Sequence, residues 1–318
     1  MKRILYLMII VMALSGCRHK ELWMGSEHYT VVQVRFDWSR TETRVQNTYP
    51  PTSMSLYLFP EDGNVPLYSE FSGHEGGSIR VPFGSYRAIA MNHDNEAVLL
   101  RGTGTFLSLE AYTRAEDLLA PLGSMGTRAP MPAETAEERS ILEPELYWTS
   151  HKENIQIKIL EGQEIVMPMQ DAIQQISVRI TDVDNIDKVS AISMALSTVA
   201  GSWFPGPAVS GSEKVTVPFA GEVKADEMTA RATCFGHCPD GPSQHFLTVY
   251  AIMESGAKYY YTFNVTDQYH AQWSNPVVYI NLSGLPLPNE LETGFGSTDV
   301  DQWLTVDVNI SMGGGNSN

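Results

Sequence analysis

Cysteine is scarce in this chain, three in 318 residues, too few for the disulfide framework that holds small secreted domains together. Stability must come from buried apolar cores instead. Basic residues are scarce too: 21 Lys and Arg face 37 Asp and Glu, for a formal net charge of −16. Nucleic-acid binding needs clustered cations to neutralise phosphates, so this balance argues against it. No apolar run reaches the roughly 20 residues that a membrane-spanning helix requires. The histidines are scattered, with no i, i+4 pair around a glutamate of the kind that marks helical zinc proteases. There is neither a Gly-x-Ser-x-Gly elbow nor a phosphate-cradling glycine loop. Carboxylates abound, yet nothing in the sequence selects a catalytic pair. Neither enzymatic activity nor a cofactor is expected.

Lys2 and Arg3 precede the apolar run Ile4 to Leu14, which leads into Leu14-Ser15-Gly16-Cys17. A basic segment before a short apolar core reads as a secretory signal. The leucine, two small residues and cysteine resemble the lipobox of bacterial lipoproteins, in which the thiol is acylated and cleavage leaves the cysteine first. Residues 1–17 are thus expected to be a signal peptide ending at a lipidated Cys17, and residues 18–26 a tether. Each buried methylene contributes about 0.8 kcal/mol and one acyl chain holds only marginally, so two or three chains make the attachment permanent. Arg18, His19 and Lys20 would add attraction to anionic headgroups, roughly 1 kcal/mol each. The residue after the cysteine is Arg18 and not an acid, which favours the outer membrane over retention in the inner one. Loss of the leader removes Lys2 and Arg3 and no acid, so the charge becomes −18, carried by the 301 residues that follow Cys17.

Period-two alternation dominates the remainder, in segments of Val, Ile, Tyr, Phe and Trp bounded by Gly, Pro, Asn and Asp. Val32, Val34, Phe36 and Trp38 alternate with Gln33, Arg35 and Asp37. Met54 to Phe59 stops at Pro60-Glu61-Asp62-Gly63, and Ser78 to Pro82 joins Ser85 to Met91 through Phe83-Gly84. Leu109, Tyr112, Ala115, Leu118 and Leu119 recur at helical spacing behind Ser108, an N-cap residue type, and predict one short helix. From Gly123 to Glu145 the periodicity fades, which predicts a long exposed crossover loop with Arg128 and Arg139 accessible. Strand patterns resume at Leu146 to Trp148, Ile155 to Ile159 and Glu164 to Met169. In the second half they fall at Ile173 to Ile180, Ala191 to Ser197, Lys214 to Phe219, Met228 to Cys234, His245 to Met253, Tyr259 to Val265, Pro276 to Asn281 and Trp303 to Ile310. The expected architecture is all-β, with two tandem sandwich domains at residues 27–168 and 169–312. The short helix belongs to the first, and a flexible tail follows at 313–318.

After lipidation two cysteines remain, Cys234 and Cys238, in Cys234-Phe235-Gly236-His237-Cys238. In an oxidising compartment they are expected to form a disulfide across a turn that Gly236 permits; free thiols, or a metal site using His237, are the alternatives. So short a loop stabilises by only about 2 kcal/mol. Asp182, Asp184 and Asp187 crowd one turn as calcium ligands do. Ile186 takes the next ligand slot, however, and no distal glutamate is in register, so a solvated turn is the better reading and calcium the alternative. Trp148, Trp203, Trp273 and Tyr259-Tyr260-Tyr261 offer faces for stacking on sugars, although alternating aromatics more commonly fill cores. Trp203, between turn-forming residues, is the candidate glycan contact. Near the C-terminus Leu304, Val306, Val308 and Ile310 alternate with Thr305, Asp307 and Asn309. That apolar face suits a donor strand, or else it completes the second domain.

The lipobox at Cys17, the short tether and the strand Val31 to Trp38 are joined by two further segments. These are Ser55-Leu56-Tyr57-Leu58-Phe59-Pro60-Glu61-Asp62-Gly63 and Val81-Pro82-Phe83-Gly84-Ser85-Tyr86-Arg87-Ala88-Ile89-Ala90-Met91-Asn92. Together they resemble the Bacteroidetes fimbrillin-like lipoproteins, in particular the fimbrium-anchoring subunits of the type V pilus class. The resemblance implies two transthyretin-like β-sandwiches, no catalytic residues, and assembly with fimbrial shaft subunits by strand exchange. A sandwich lacking one strand exposes unpaired backbone beside an apolar groove, and a neighbour's strand can fill it. In that class an arginine-specific protease frees shaft subunits by removing their lipidated N-terminal segment. Here no arginine lies between Lys20 and the first strand, since Arg35 falls inside it, which favours an anchor; Arg40 and Arg44 remain conceivable sites. The expected function is a surface-exposed outer-membrane lipoprotein that anchors a fimbrium or forms an accessory subunit. A surface glycan-binding lipoprotein is the alternative.

Overall fold

The computed structural model describes residues 29–41, 50–123, 129–158, 162–239, 243–289 and 303–305. The first alternating run forms β1 (Tyr29–Asp37), which buries Val32, Val34 and Phe36 and turns Val31, Gln33 and Arg35 outward. A hairpin of β2 (Ser53–Pro60) and β3 (Leu67–Ser72) follows, then β4 (Gly76–Pro82) and β5 (Gly84–Asn92). Next come the short pair β6 (Val98–Arg101) and β7 (Glu110–Thr113), then β8 (Arg139–Ser140), β9 (Trp148–Ile157), β10 (Gln163–Pro168) and β11 (Gln170–Asp171). Two sheets, β10-β1-β4 and β11-β9-β5-β2-β3, enclose a core that includes Val34, Phe36, Leu56, Leu58, Trp148 and Met167.

The second half contains β12 (Gln174–Thr181), β13 (Val189–Ala200), β14 (Ser202–Phe204), β15 (Val209–Ser210), β16 (Lys214–Val223), β17 (Glu227–Cys234), β18 (Phe246–Met253) and β19 (Lys258–Asn264). Helix α1 (Thr266–His270), β20 (Val277–Ser283) and β21 (Trp303–Thr305) complete it. The strand path β20-β12-β17-β16-β13-β18-β19-β21 folds over one core, where Ile176, Val178, Leu196, Phe219, Val249 and Ile280 meet. All eight strands expected in this half lie in it, the last of them described only over 303–305.

The two halves share one topology. β1 lies between antiparallel β4 and parallel β10, as β12 lies between antiparallel β17 and parallel β20. β2 pairs with β3 and β5, and β5 with β9; in the same way β13 pairs with β16 and β18, and β18 with β19. Alternation specifies which face is buried but not which side chain fills it, so the duplication leaves no sequence repeat.

Two expectations fail between Ser108 and Glu145. The residues read as a helix begin as β7, whose Ala111 is fully buried and which pairs with β6 and β14. Ser108 does not cap a helix; its hydroxyl donates to the Gly102 carbonyl. Pairing across the molecule overrides the local period, and the one α-helix among the described residues is α1, in the second half. The crossover is a docked strap, not an exposed loop. β8 adds in parallel to β16 and Ile141 is fully buried in the second core, while Arg139 is exposed as expected and forms a bidentate pair with Glu213 at 3.0 Å. Arg128 lies outside the described residues. A further sheet, β15-β14-β7-β6, joins the halves over a shared core that includes Phe59, Phe106, Tyr147, Ala200 and Phe235.

Candidate functional site

Strand exchange depends on which strands are held on both sides and which edges are free. β1 is held on both: Tyr29 to Arg35 pair with β4 and Val32 to Asp37 with β10. Gly76 lets β4 come this close, since at φ +117° a Cβ there would lie 2.2 Å from the Val34 carbonyl oxygen. Burying Val32, Val34 and Phe36 stabilises the strand in place by at most about 5 to 9 kcal/mol. Arg35 has backbone partners on both flanks, Gly76 and Val166, and its side chain pairs with Glu164 at 3.1 Å. It is not presented to a protease, which needs an extended, unpaired substrate. Arg40, by contrast, is exposed in the turn that follows β1.

The two ends of the second strand path differ. On β20 the outward backbone is already occupied, because Gln268 and Gln272 of the α1 region act as stand-in strand partners. Gln272 donates to the Tyr279 carbonyl at 3.0 Å and accepts its amide at 3.1 Å; Gln268 does the same with Asn281, at 3.0 and 2.8 Å. Edge capping of this kind blocks strand addition. At the other end β21 adds in parallel to β19. Trp303 packs edge-to-face on buried Tyr250, 5.3 Å between ring centres, and Leu304 packs against the second core. Leu304 therefore serves its own domain. Val306, Val308 and Ile310, the rest of the candidate donor face, lie outside the described residues, as does Cys17.

Cys234 and Cys238 are free thiols, so the expected bridge is not formed. The turn at Gly236, φ +88°, sends them into different cores. Cys234 contacts the Tyr269 hydroxyl, and burial pushes its thiol up to about 11. Cys238 donates to the Ser212 carbonyl at 3.2 Å. Trp203 is not an open platform either: it is half-buried on the shared core and its indole N–H donates to Thr149 Oγ1 at 3.2 Å. Its flanking turn signals misled because Trp203 itself lies in β14, paired with Ser210 of β15 on one side and Ala111 of β7 on the other. Trp148, Tyr259 and Tyr261 are buried, and among the tryptophans of the described residues only Trp273 is mostly exposed, at 58%. In the acidic turn Asp187 pairs with Lys188, and Asp182 accepts the Ser283 hydroxyl.

Among the described residues one group of side chains is disposed to hold a metal: His237, His245 and His270. Their rings lie 5.1 to 5.3 Å apart, and that of His245 stacks on Tyr269 at 4.1 Å. Burial, opposed by the Ser197 carbonyl, drives His245 down to about 3, and burial and then His270 lower His237. These two rings are thus kept neutral. Sequence reading singled out only His237, because the three sit in separate segments with no motif spacing. No helix among the described residues is long and apolar enough to cross a membrane.

Residues 16–220 match the family DUF5119, a domain of unknown function. A Bacteroides ovatus protein named "Putative fimbrium anchoring subunit Fim4B" is 24% identical over 109 residues, 34% of this chain and 31% of its own length. The chain thus spans less than a third of that relative. Among solved structures, one described as a "putative adhesin" from Bacteroides ovatus ATCC 8483 superposes with a TM-score of 0.58 at 16% identity, covering 92% of this chain and 97% of its own. Another so described, from Bacteroides thetaiotaomicron VPI-5482, gives 0.52 at 10% identity over 82% and 92%. At these identities the likeness is one of fold.

Proposed function

The chain belongs to the DUF5119 family, and from that membership and its fold we propose that it is a fimbrium-associated adhesion subunit. In this reading a lipid on Cys17 holds it in the outer membrane, and β-strand complementation joins it to fimbrial shaft subunits. The mechanism is binding and not catalysis. The observation that carries the reading is the placement of β1: it is an interior strand of its sheet, its apolar face is filled, and the backbone of its one arginine is paired on both sides. A subunit destined for release must surrender that strand, whereas an anchor must keep it. Eleven residues separate Cys17 from Tyr29, a reach of at most about 40 Å, so the first sandwich would stay close to the bilayer. The fimbrial name of the curated relative and the adhesin-like folds support the same role.

The test is carried out in the producing bacterium. Wild-type protein should carry acyl chains by mass spectrometry and co-purify with a fimbrial shaft from detergent-solubilised outer membranes. Cys17→Ser should leave a folded protein while shedding fimbriae into the medium. An unlipidated wild type, or fimbriae that stay cell-bound in the variant, would overturn the proposal.

A further inference from the structure

The three histidines converge from three elements. His237 follows the Gly236 turn after β17, His245 immediately precedes β18, and His270 ends α1. His237 Nε2 and His270 Nε2 are 3.2 Å apart, and the three prospective ligand atoms lie within 4.8 Å of one another. Two nitrogens bound tetrahedrally to zinc at 2.0–2.1 Å would be separated by about 3.3 Å. The first pair already has that spacing. Closing the widest pair would require about 1.5 Å of movement, which His237 and His270, only half-buried, are free to supply.

His245 provides the independent sign of a ligand. It is fully buried, its Nδ1 faces the Ser197 carbonyl at 3.2 Å, and its Nε2 has no hydrogen-bond partner. A buried imidazole nitrogen without a partner is rare because its desolvation goes uncompensated. With Nδ1–H donated to a backbone carbonyl, the tautomer is fixed and Nε2 presents its lone pair, the outer-shell arrangement usual for metal-binding histidines.

We propose that His237, His245 and His270 form a binding site for a zinc-class divalent cation, with solvent at the fourth position. Imidazole nitrogens suit such an ion, and three protein ligands leave one position open. The cysteines take no part, since Cys238 is turned to Ser212 and Cys234 to Tyr269. Bound there, the ion would tie the β17–β18 connection to α1. That helix begins the segment carrying Gln268 and Gln272, so the same ion would steady the cap on β20.

Full-length protein in detergent, stripped with chelator, is titrated with ZnCl2 against a chromophoric competitor, and with Co2+ as a spectroscopic reporter. One equivalent should bind, Co2+ should give the absorption of a four-coordinate site, and the unfolding temperature should rise by roughly 5 °C at a hundredfold excess over the dissociation constant. His270→Gln, half-exposed and so tolerated by the fold as circular dichroism would verify, should weaken binding at least about 100-fold and abolish the cobalt signal. The unrelated His93→Gln should change neither. Absence of saturable one-equivalent binding in wild type, or equal binding by His270→Gln, would overturn the site and leave the close ring pair as a histidine–histidine hydrogen bond.

Discussion

The carboxylate of Glu138 accepts both the backbone amide and the hydroxyl of Thr198, each at 2.8 Å, where Thr198 stands at φ +64° in the bulge of β13. A β-branched residue in the left-handed region is strained by about 1 to 3 kcal/mol and persists only where its surroundings hold it. Glu138 also accepts the Thr216 hydroxyl at 2.9 Å, so one side chain of the strap fastens two strands of the second sandwich. Glu138→Ala should lower unfolding stability in urea by about 1 to 3 kcal/mol. Thr198→Gly removes the strain, and the double variant should lose less than the sum of the two singles. Strict additivity would show that the two residues act independently.

Period two made the strands legible wherever one face is buried, as in β1 or β12, because the pattern is a direct record of burial. It failed where partners are remote. Leu109 to Leu119 carry a helical spacing by coincidence, and it is pairing with β6 and, far along the chain, with β14, where Trp203 faces Ala111, that makes residues 110–113 a strand. Glu138 and Arg139 look like loop charges until Thr198 and Glu213 are brought beside them. The histidines show the same limit. Their separations follow no motif, since a site assembled from a turn, a strand end and a helix end leaves no periodic trace. Gln268 and Gln272 do stand four apart on one face, but their use as strand surrogates depends on where β20 lies.

Removing both edge-capping glutamines should expose the outward backbone of β20. The Gln268→Ala/Gln272→Ala variant is expected to self-associate with rising concentration in light scattering after size exclusion, while wild type stays unchanged. A double variant that behaves like wild type would assign edge protection to something else.

Folded protein treated with an arginine-specific protease should resist cleavage after Arg35. Both flanks of that residue are paired, and Arg40 lies in the exposed turn beyond. N-terminal sequencing should therefore find no fragment beginning at Phe36. Its rapid appearance would mean that β1 leaves the sheet readily, as in a subunit built for release.

Thiol reagents should label neither cysteine in the native protein and both after unfolding without reductant. The buried Cys234 holds its proton up to about 11 in the fold, whereas an unfolded thiol releases it near pH 9. Between these values the unfolded chain binds fewer protons, so stability falls as pH rises from about 9 to 11, by up to about 2 to 3 kcal/mol from this group. Cys234→Ala should flatten that decline at its lower end, below the range where the buried tyrosines contribute. An unchanged pH profile would remove Cys234 as the cause.

The C-terminal run can be divided where its two roles diverge. Trp303 and Leu304 pack on Tyr250 and the second core, so deleting residues 303–318 should destabilise the second sandwich and say nothing about attachment. Deleting residues 306–318 spares both contacts and removes Val306, Val308 and Ile310, the apolar face that would enter a neighbour's groove. That shorter truncation should keep the wild-type circular dichroism and melting temperature yet lose co-purification with the shaft. If it melts early, the run belongs to its own domain. If it stays folded and still attached, the joining surface lies elsewhere, and with the β20 edge already capped the search moves to the first sandwich, where β3, β4 and β10 are the longer edge strands.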